Sequence, residues 1–259
     1  MKMILASDYD GTLRVSKRVE PYDLEMIRRW QQAGHRFIAV TGRSMQTFEK
    51  EMEINAFHPD FIVTNNGGAL YDRDGCQVKV NEIPFEQAMH IYHYLTQLPC
   101  SSIVVNEGKY RAVQVLDEAS YDAKGREAGP YSVEEIIAKG RIAQFVLFIG
   151  DETLRHQIAK EIEMRFGDVV QPFINVDCID IVPKGCDKGK GLKQAIALLK
   201  AEGEVYAIGD SYNDLPMLDA YIGCCVAHAD DAIKAHAAYV FAGVGEAIAY
   251  LLAKQEEKK

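Results

Sequence analysis

Along residues 1–81, short apolar runs alternate with segments of helical spacing. Ile4-Leu5-Ala6, Phe37-Ile38-Ala39-Val40 and Phe61-Ile62-Val63-Thr64 are too short for buried helices and suit strands covered on both faces. After a polar connector, Pro21 opens a segment in which Leu24, Ile27 and Trp30 recur at helical spacing, and Gly34 stands at the expected stop. Ser44 is placed to cap a second helix reaching about residue 52. Ala69-Leu70-Tyr71 and Gln77-Val78-Lys79-Val80 flank Asp72-Arg73-Asp74-Gly75, a hairpin signal. Strand, helix, strand, helix, strand argues for a parallel sheet with right-handed crossovers.

The rhythm changes near Glu82. The spacing predicts a helix over 85–98, strands over 103–105 and 111–116, and a loop over 117–130. Ser132 and Glu135 have the capping-box form of a short helix. A strand over 143–149 follows. Leu154, Ile158, Ile162 and Phe166 then line one side of an amphipathic helix, and strands follow over 169–173 and 178–182. From Asp187 the first rhythm resumes, with a helix from Lys188 to about residue 201 and a strand over 205–208. Further helix and strand segments run to residue 252, and the charged tail 254–259 reads as frayed. The pattern therefore predicts an α/β fold. A Rossmann-like, doubly wound parallel sheet is built from residues 1–81 and 184–259, and an α+β domain, 82–183, is inserted between them.

Three strands of the alternating part end in polar motifs, and ligands bind outside the carboxyl ends of strands in open α/β sheets. The first strand runs into Asp8-Tyr9-Asp10-Gly11-Thr12, the second into Thr41-Gly42-Arg43, and that over 205–208 into Gly209-Asp210-Ser211-Tyr212-Asn213-Asp214. Asp8 and Asp10 repel one another unless a cation or a shared proton intervenes, and Mg²⁺ prefers such hard oxygen ligands. Thr41 and Gly42, just before a helix N-terminus, suit an oxyanion. Each residue also has a plainer reading: turn caps for Asp8, Asp10 and Asp210, a turn residue for Thr41, a solvated helix residue for Lys188, a surface ion pair for Asp214. Those readings together require several independent coincidences.

Composition narrows the function further. A net charge of −9 disfavours a broad nucleic-acid contact, which needs a basic face. The six cysteines contain no CxxC pair, so neither a zinc site nor a disulfide framework is expected, and reduced thiols in a cytoplasmic protein fit them. No secretory signal is read at the N-terminus. The most apolar run, 142–149, contains Gln144 and is too short to span a bilayer.

DYDGT, TGR, the KGKGL that begins at Lys188 and GDSYND resemble, in order, the four motifs of the haloacid dehalogenase-like phosphatases. KGxGL before GDxxND, a segment inserted after TGR, and Asn65-Asn66-Gly67-Gly68-Ala69 look most like the Cof-like branch, phosphatases of sugars and small metabolites with a large α/β cap. The resemblance implies Asp8 as nucleophile and Asp10 as general acid/base. Mg²⁺ would be held by Asp8, the Asp10 backbone carbonyl and Asp210. Thr41 and the Gly42 amide would bind phosphoryl oxygens, with Lys188 paired to Asp8. Asn213 and Asp214 would support Lys188 or metal-bound water, and the resemblance favours Asp214 as the direct metal partner of the two. Arg43 and Asn66 are weaker candidates for substrate contacts, balanced by readings as a surface Arg and a turn Asn. His90 and His93, spaced i, i+3, could pair but read rather as a solvated face, and Asp177 and Asp180, before Pro183, are weak candidates to approach the site from the inserted segment. The implied partner is a small phosphorylated metabolite, with no nucleic acid, membrane or protein partner indicated. Two alternatives stay open: a phosphotransferase or mutase using the same phosphoaspartate, and a non-enzymatic phospho-acceptor module.

Overall fold

The computed structural model describes residues 2–122 and 129–256. The N-terminal part forms β1 (Met3–Asp8), a small hairpin of β2 (Arg14–Val15) and β3 (Arg18–Val19), α1 (Pro21–Gln32), β4 (Arg36–Val40), α2 (Met45–Asn55), β5 (Phe61–Thr64), β6 (Ala69–Asp72) and β7 (Gln77–Val80). The middle of the chain forms α3 (Phe85–Leu95), β8 (Ser102–Asn106), β9 (Arg111–Val115), α4 (Val133–Ala138), β10 (Gln144–Phe148), α5 (Glu152–Phe166), β11 (Val170–Ile174) and β12 (Cys178–Pro183). The rest forms α6 (Lys188–Leu199), β13 (Glu204–Gly209), α7 (Leu215–Ala220), β14 (Ile222–Val226), α8 (Asp231–Lys234), β15 (Tyr239–Phe241) and α9 (Val244–Glu256).

The larger sheet has the order β15-β14-β13-β1-β4-β5-β6-β7. Its strands run parallel from β15 to β5, and β6 and β7 turn back antiparallel. The chain leaves β1 toward β4 on one side and later returns to β13 on the other, so the carboxyl end of β1 is the topological switch point. Every residue of β1 is buried, as expected of a central strand packed on both faces.

The second sheet has the order β11-β12-β10-β8-β9, antiparallel throughout. Strand alternation gives it two unlike faces. Ile103, Val105, Phe145, Leu147, Ile179 and Ile181 join residues of α3, α4 and α5 in a separate apolar core. The intervening positions include Asn106, Gln144 and Asp180, all buried, on the face away from that core.

Close backbone contacts hold α6 in place. A Cβ on Gly191 would lie 2.6 Å from the Gly67 Cα, and one on Gly189 would lie 2.2 Å from the Pro216 carbonyl oxygen. The first turn of α6 is thus wedged between the turn after β5 and the start of α7, and only glycine permits that approach.

Several boundaries differ from the sequence pattern. Residues 14–19 form the β2–β3 hairpin rather than a plain connector. α2 continues to Asn55 and stops where Ala56 takes φ +48°, while α3 ends at Leu95. Ser44 occupies the N-cap position of α2, but its hydroxyl pairs with the Thr47 hydroxyl (3.1 Å) instead of a backbone amide. α9 extends to Glu256, so residues 254–256 are helical rather than frayed. Part of the expected loop, 123–128, and the last three residues, 257–259, lie outside the described residues. Among the described residues no helix is long and apolar enough to cross a membrane.

Gly191→Ala is expected to lower stability by about 1–3 kcal/mol through overpacking against Gly67. Urea unfolding measures it, and an unchanged midpoint would show that α6 can shift freely.

Candidate active site

The ends of β1 and β13 bring the first and last motifs together. Asp8, 3% exposed, ends β1, and Asp210 follows β13 directly. Gly11 has φ +90°, and a Cβ there would fall 2.4 Å from Asp210 Oδ2, so the loop after β1 lies against that carboxylate. The Thr12 hydroxyl donates to Asp210 Oδ1 at 2.7 Å. Asp214 is fully buried, and its Oδ2 accepts the amides of Asp210 and Ser211, each at 3.0 Å.

Lys188 enters from the first turn of α6, where Asp187 accepts the Lys190 amide as N-cap. Its Nζ lies 2.7 Å from Asp8 Oδ1 and 2.6 Å from Asp214 Oδ1, and all three side chains are sealed from solvent. Lys190 and Lys193 point outward, as the sequence suggests. Oxygens of Asp8, Asp210 and Asp214 lie within 4.8 Å of one another. One ammonium among three carboxylates leaves the site short of positive charge. Burial pushes the Asp8 carboxyl well above its usual range, opposed by Lys188 and reinforced by Asp214 and Asp210. Burial likewise raises Asp210. Burial works against the Lys188 charge, but Asp214 and Asp8 outweigh it and hold the ammonium above its ordinary range.

This donor set fits Mg²⁺: all the acidic ligands are oxygens, and a divalent cation supplies the missing charge. Asp214 already spends both oxygens, one on Lys188 and one on two amides. It therefore anchors Lys188 while also belonging to the carboxylate group in which the resemblance implies a direct metal partner.

Asp10 stands in different surroundings. Its side chain is 45% exposed and gripped by Arg43, Nε to Oδ2 at 2.5 Å and Nη2 to Oδ1 at 2.8 Å, with Arg14 at 3.2 Å. Glu51 holds Arg43 from behind at 2.8 Å, and also takes the Tyr9 hydroxyl at 2.8 Å. Arg43, weighed from sequence as a substrate contact or a surface residue, is therefore a buttress of Asp10. Burial disfavours its charge, and Asp10 and Glu51 more than offset that.

The TGR motif lies beneath the second sheet. The Thr41 hydroxyl accepts the Arg43 amide at 3.1 Å, and the Gln144 side chain reaches the Gly42 carbonyl at 3.5 Å. Asn66, with φ +50°, accepts from Asn213 at 3.2 Å and donates to Asp180 Oδ2 at 2.7 Å. Asn175 donates to the same Asp180 oxygen at 2.8 Å. Asn66 is thus neither a free turn residue nor open to solvent, but one of the links between the two sheets. Asp180, a weak candidate from sequence to approach the site from the inserted segment, is 5% exposed and lies beside Asn66 and Gly42. Its pKa rises to about 6, chiefly through burial, with the Asn66 and Asn175 hydrogen bonds and the Lys188 charge opposing. Asp177 stays exposed in the β11–β12 turn, and His90 and His93 are exposed on α3.

Sequence reasoning missed two other residues. Glu51 lies inside α2 with no local signal of its contacts. His228, in the loop after β14, places Nε2 2.7 Å from the Gly11 carbonyl oxygen.

The fold and this cluster define a doubly wound α/β protein with buried aspartates gathered at the switch point of its sheet. The family model for haloacid dehalogenase-like hydrolases matches residues 5–252, and the chain belongs to that family and is an enzyme of it. Among curated proteins it is 26% identical over 252 residues to the pyridoxal phosphate phosphatase YbhA of Escherichia coli, covering 90% of this chain and 91% of that one. It is 26% identical over 229 residues to an HMP-PP phosphatase of Klebsiella pneumoniae, covering 84% and 81%. Among solved structures, one from Plasmodium vivax described as a HAD/COF-like hydrolase superposes with a TM-score of 0.83 at 22% identity, covering 99% and 96%.

A carboxyl raised by burial adds stability below its unfolded pKa and loses it as pH climbs through the folded one. Asp180→Asn removes that loss, so its stability relative to wild type should grow by about 2 kcal/mol between about pH 4 and about pH 7. Urea titrations of both proteins at the two pH values measure this. A difference independent of pH would mean that Asp180 is not held above its ordinary range.

Proposed function

We propose that this enzyme is a Mg²⁺-dependent phosphatase of a small phosphorylated metabolite. The observation that carries the reading is Lys188, sealed between Asp8 and Asp214 with Asp210 alongside. A phosphate ester dianion could not approach these carboxylates unless cations met it, and a lysine fixed at the nucleophile is the protein's share of that charge. Asp8, Asp210 and the Asp10 backbone carbonyl would hold the metal, which screens the phosphoryl charge when bound.

Asp8 attacks phosphorus, forming an aspartyl-phosphate as the bond to the leaving oxygen breaks. Asp10 gives that oxygen a proton. Asp10 then takes a proton from water, which attacks phosphorus and releases phosphate and the free Asp8 carboxylate. Thr41 and the Gly42 amide hold the equatorial oxygens, and Lys188 balances charge as it develops. Asp214 holds Lys188, Asn213 steadies Asn66, and Arg43 aims Asp10. Residues 82–183 act as the cap that covers the site and chooses the substrate. The relatives' names, pyridoxal phosphate phosphatase and HMP-PP phosphatase, support a phosphorylated small molecule as the substrate class. A mutase would pass the phosphoryl group to a second hydroxyl instead of water, and phosphate release without an acceptor favours the hydrolase.

Asp8→Asn is expected to reduce 4-nitrophenyl phosphate hydrolysis at least about a thousandfold while circular dichroism stays unchanged. Full activity in that variant would remove the mechanism. Chelation with EDTA should abolish wild-type turnover and added Mg²⁺ should restore it; activity indifferent to EDTA would refute the metal's part.

A further inference from the structure

An in-line displacement puts the leaving oxygen on the far side of phosphorus from its nucleophile. With Asp8 on the strand ends of the larger sheet, the leaving group extends toward the second sheet. Among the described residues, the buried polar side chains on that face of the sheet include two amides, Asn106 and Gln144, and one carboxylate, Asp180. Asp180 Oδ2 lies 3.2 Å from where a Cβ on Gly42 would be, directly beside the glycine assigned above to the phosphoryl group. The position is held by two donors, Asn66 from the larger sheet and Asn175 from its own, both on Oδ2. Oδ1 takes no hydrogen bond from any described residue, so one lone-pair edge of a buried carboxylate is left to meet whatever enters.

Among the described residues, the charges that act on Asp180 are the Lys188 ammonium, already shared between Asp8 and Asp214, and Asp177, which adds to the negative potential. A leaving group bearing its own carboxylate or a second phosphate would be desolvated against this oxygen, and among the described residues no other cation acts on Asp180 to receive it. A hydroxyl, amine or ring N–H donor would satisfy it.

We infer that Asp180 is a specificity-determining residue that selects phosphate monoesters whose leaving group is a hydrogen-bond donor or cation and rejects those whose leaving group is anionic. This rests on the phosphatase reading above and narrows its substrate class.

The test measures kcat/KM with Mg²⁺ for three probes: O-phosphoethanolamine, with a cationic leaving group; 3-phosphoglycerate, with an anionic one; and 4-nitrophenyl phosphate as reference. Wild type should favour the cationic over the anionic probe by at least about tenfold, as expected for one charge acting at short range in a partly screened site. Asp180→Asn keeps an acceptor oxygen for Asn66 and Asn175 and removes the charge. It should collapse that ratio by about tenfold, through loss on the cationic probe and gain on the anionic one, with 4-nitrophenyl phosphate much less affected. Asn175→Ala leaves the charge in place and should retain the wild-type ratio. An unchanged ratio in Asp180→Asn overturns the inference. So does an equal fall on all three probes, which would make Asp180 only a clasp between the sheets. Wild-type protein inert toward every probe would instead strike the phosphatase reading itself.

Discussion

One lysine among three carboxylates organises this molecule. Lys188 must be driven into a sealed site, and a buried ammonium is tolerated only where its partners are fixed. The backbone supplies that fixity. Gly189 and Gly191 let the first turn of α6 press against Pro216 and Gly67, and Gly11 lets the loop after β1 fold onto Asp210. Asp214 is itself immobilised by two backbone amides, so the nearest partner of Lys188 cannot swing away. The ammonium still leaves the cluster with excess negative charge, which a divalent cation could offset.

Asp8 and Asp10 are two residues apart and live in opposite environments. Asp8 is buried against one ammonium and two further carboxylates, whereas Asp10 is half-exposed between guanidinium groups. Environment rather than residue type separates their chemistry, which is how paired carboxylates come to play different parts. The wall behind Asp10 continues inward through Arg43 to Glu51, Tyr9 and Asn55, tying the motif loops to the body of α2.

The second sheet contributes through strand alternation. One face packs its apolar side chains under α3, α4 and α5, and the alternate positions, which mix valines with polar residues, lie on the face toward the larger sheet. Buried polar groups there need partners, and they find them across the gap: Asn106 with Asn65, Gln144 with Gly42, and Asp180 with Asn66. The same contacts that seat this sheet therefore place a carboxylate over the Thr41–Gly42 turn.

Much of this was legible in the chain. Apolar runs ending in DYDGT, TGR and GDSYND announce strands that stop at one edge of a parallel sheet, because strand period and turn residues are local properties. The Lys188 position was legible too, since Asp187 caps its helix by local hydrogen bonding. The contacts of Glu51, His228 and Asp180 were not. Each depends on a partner in a different element, 42, 217 and 114 residues away respectively. Sequence alone determined which groups stand at the strand ends, because those are set by neighbours along the chain. Only the tertiary structure decided which of them share charge and which acid of the second sheet covers them, because burial and Coulomb energies depend on distance through space.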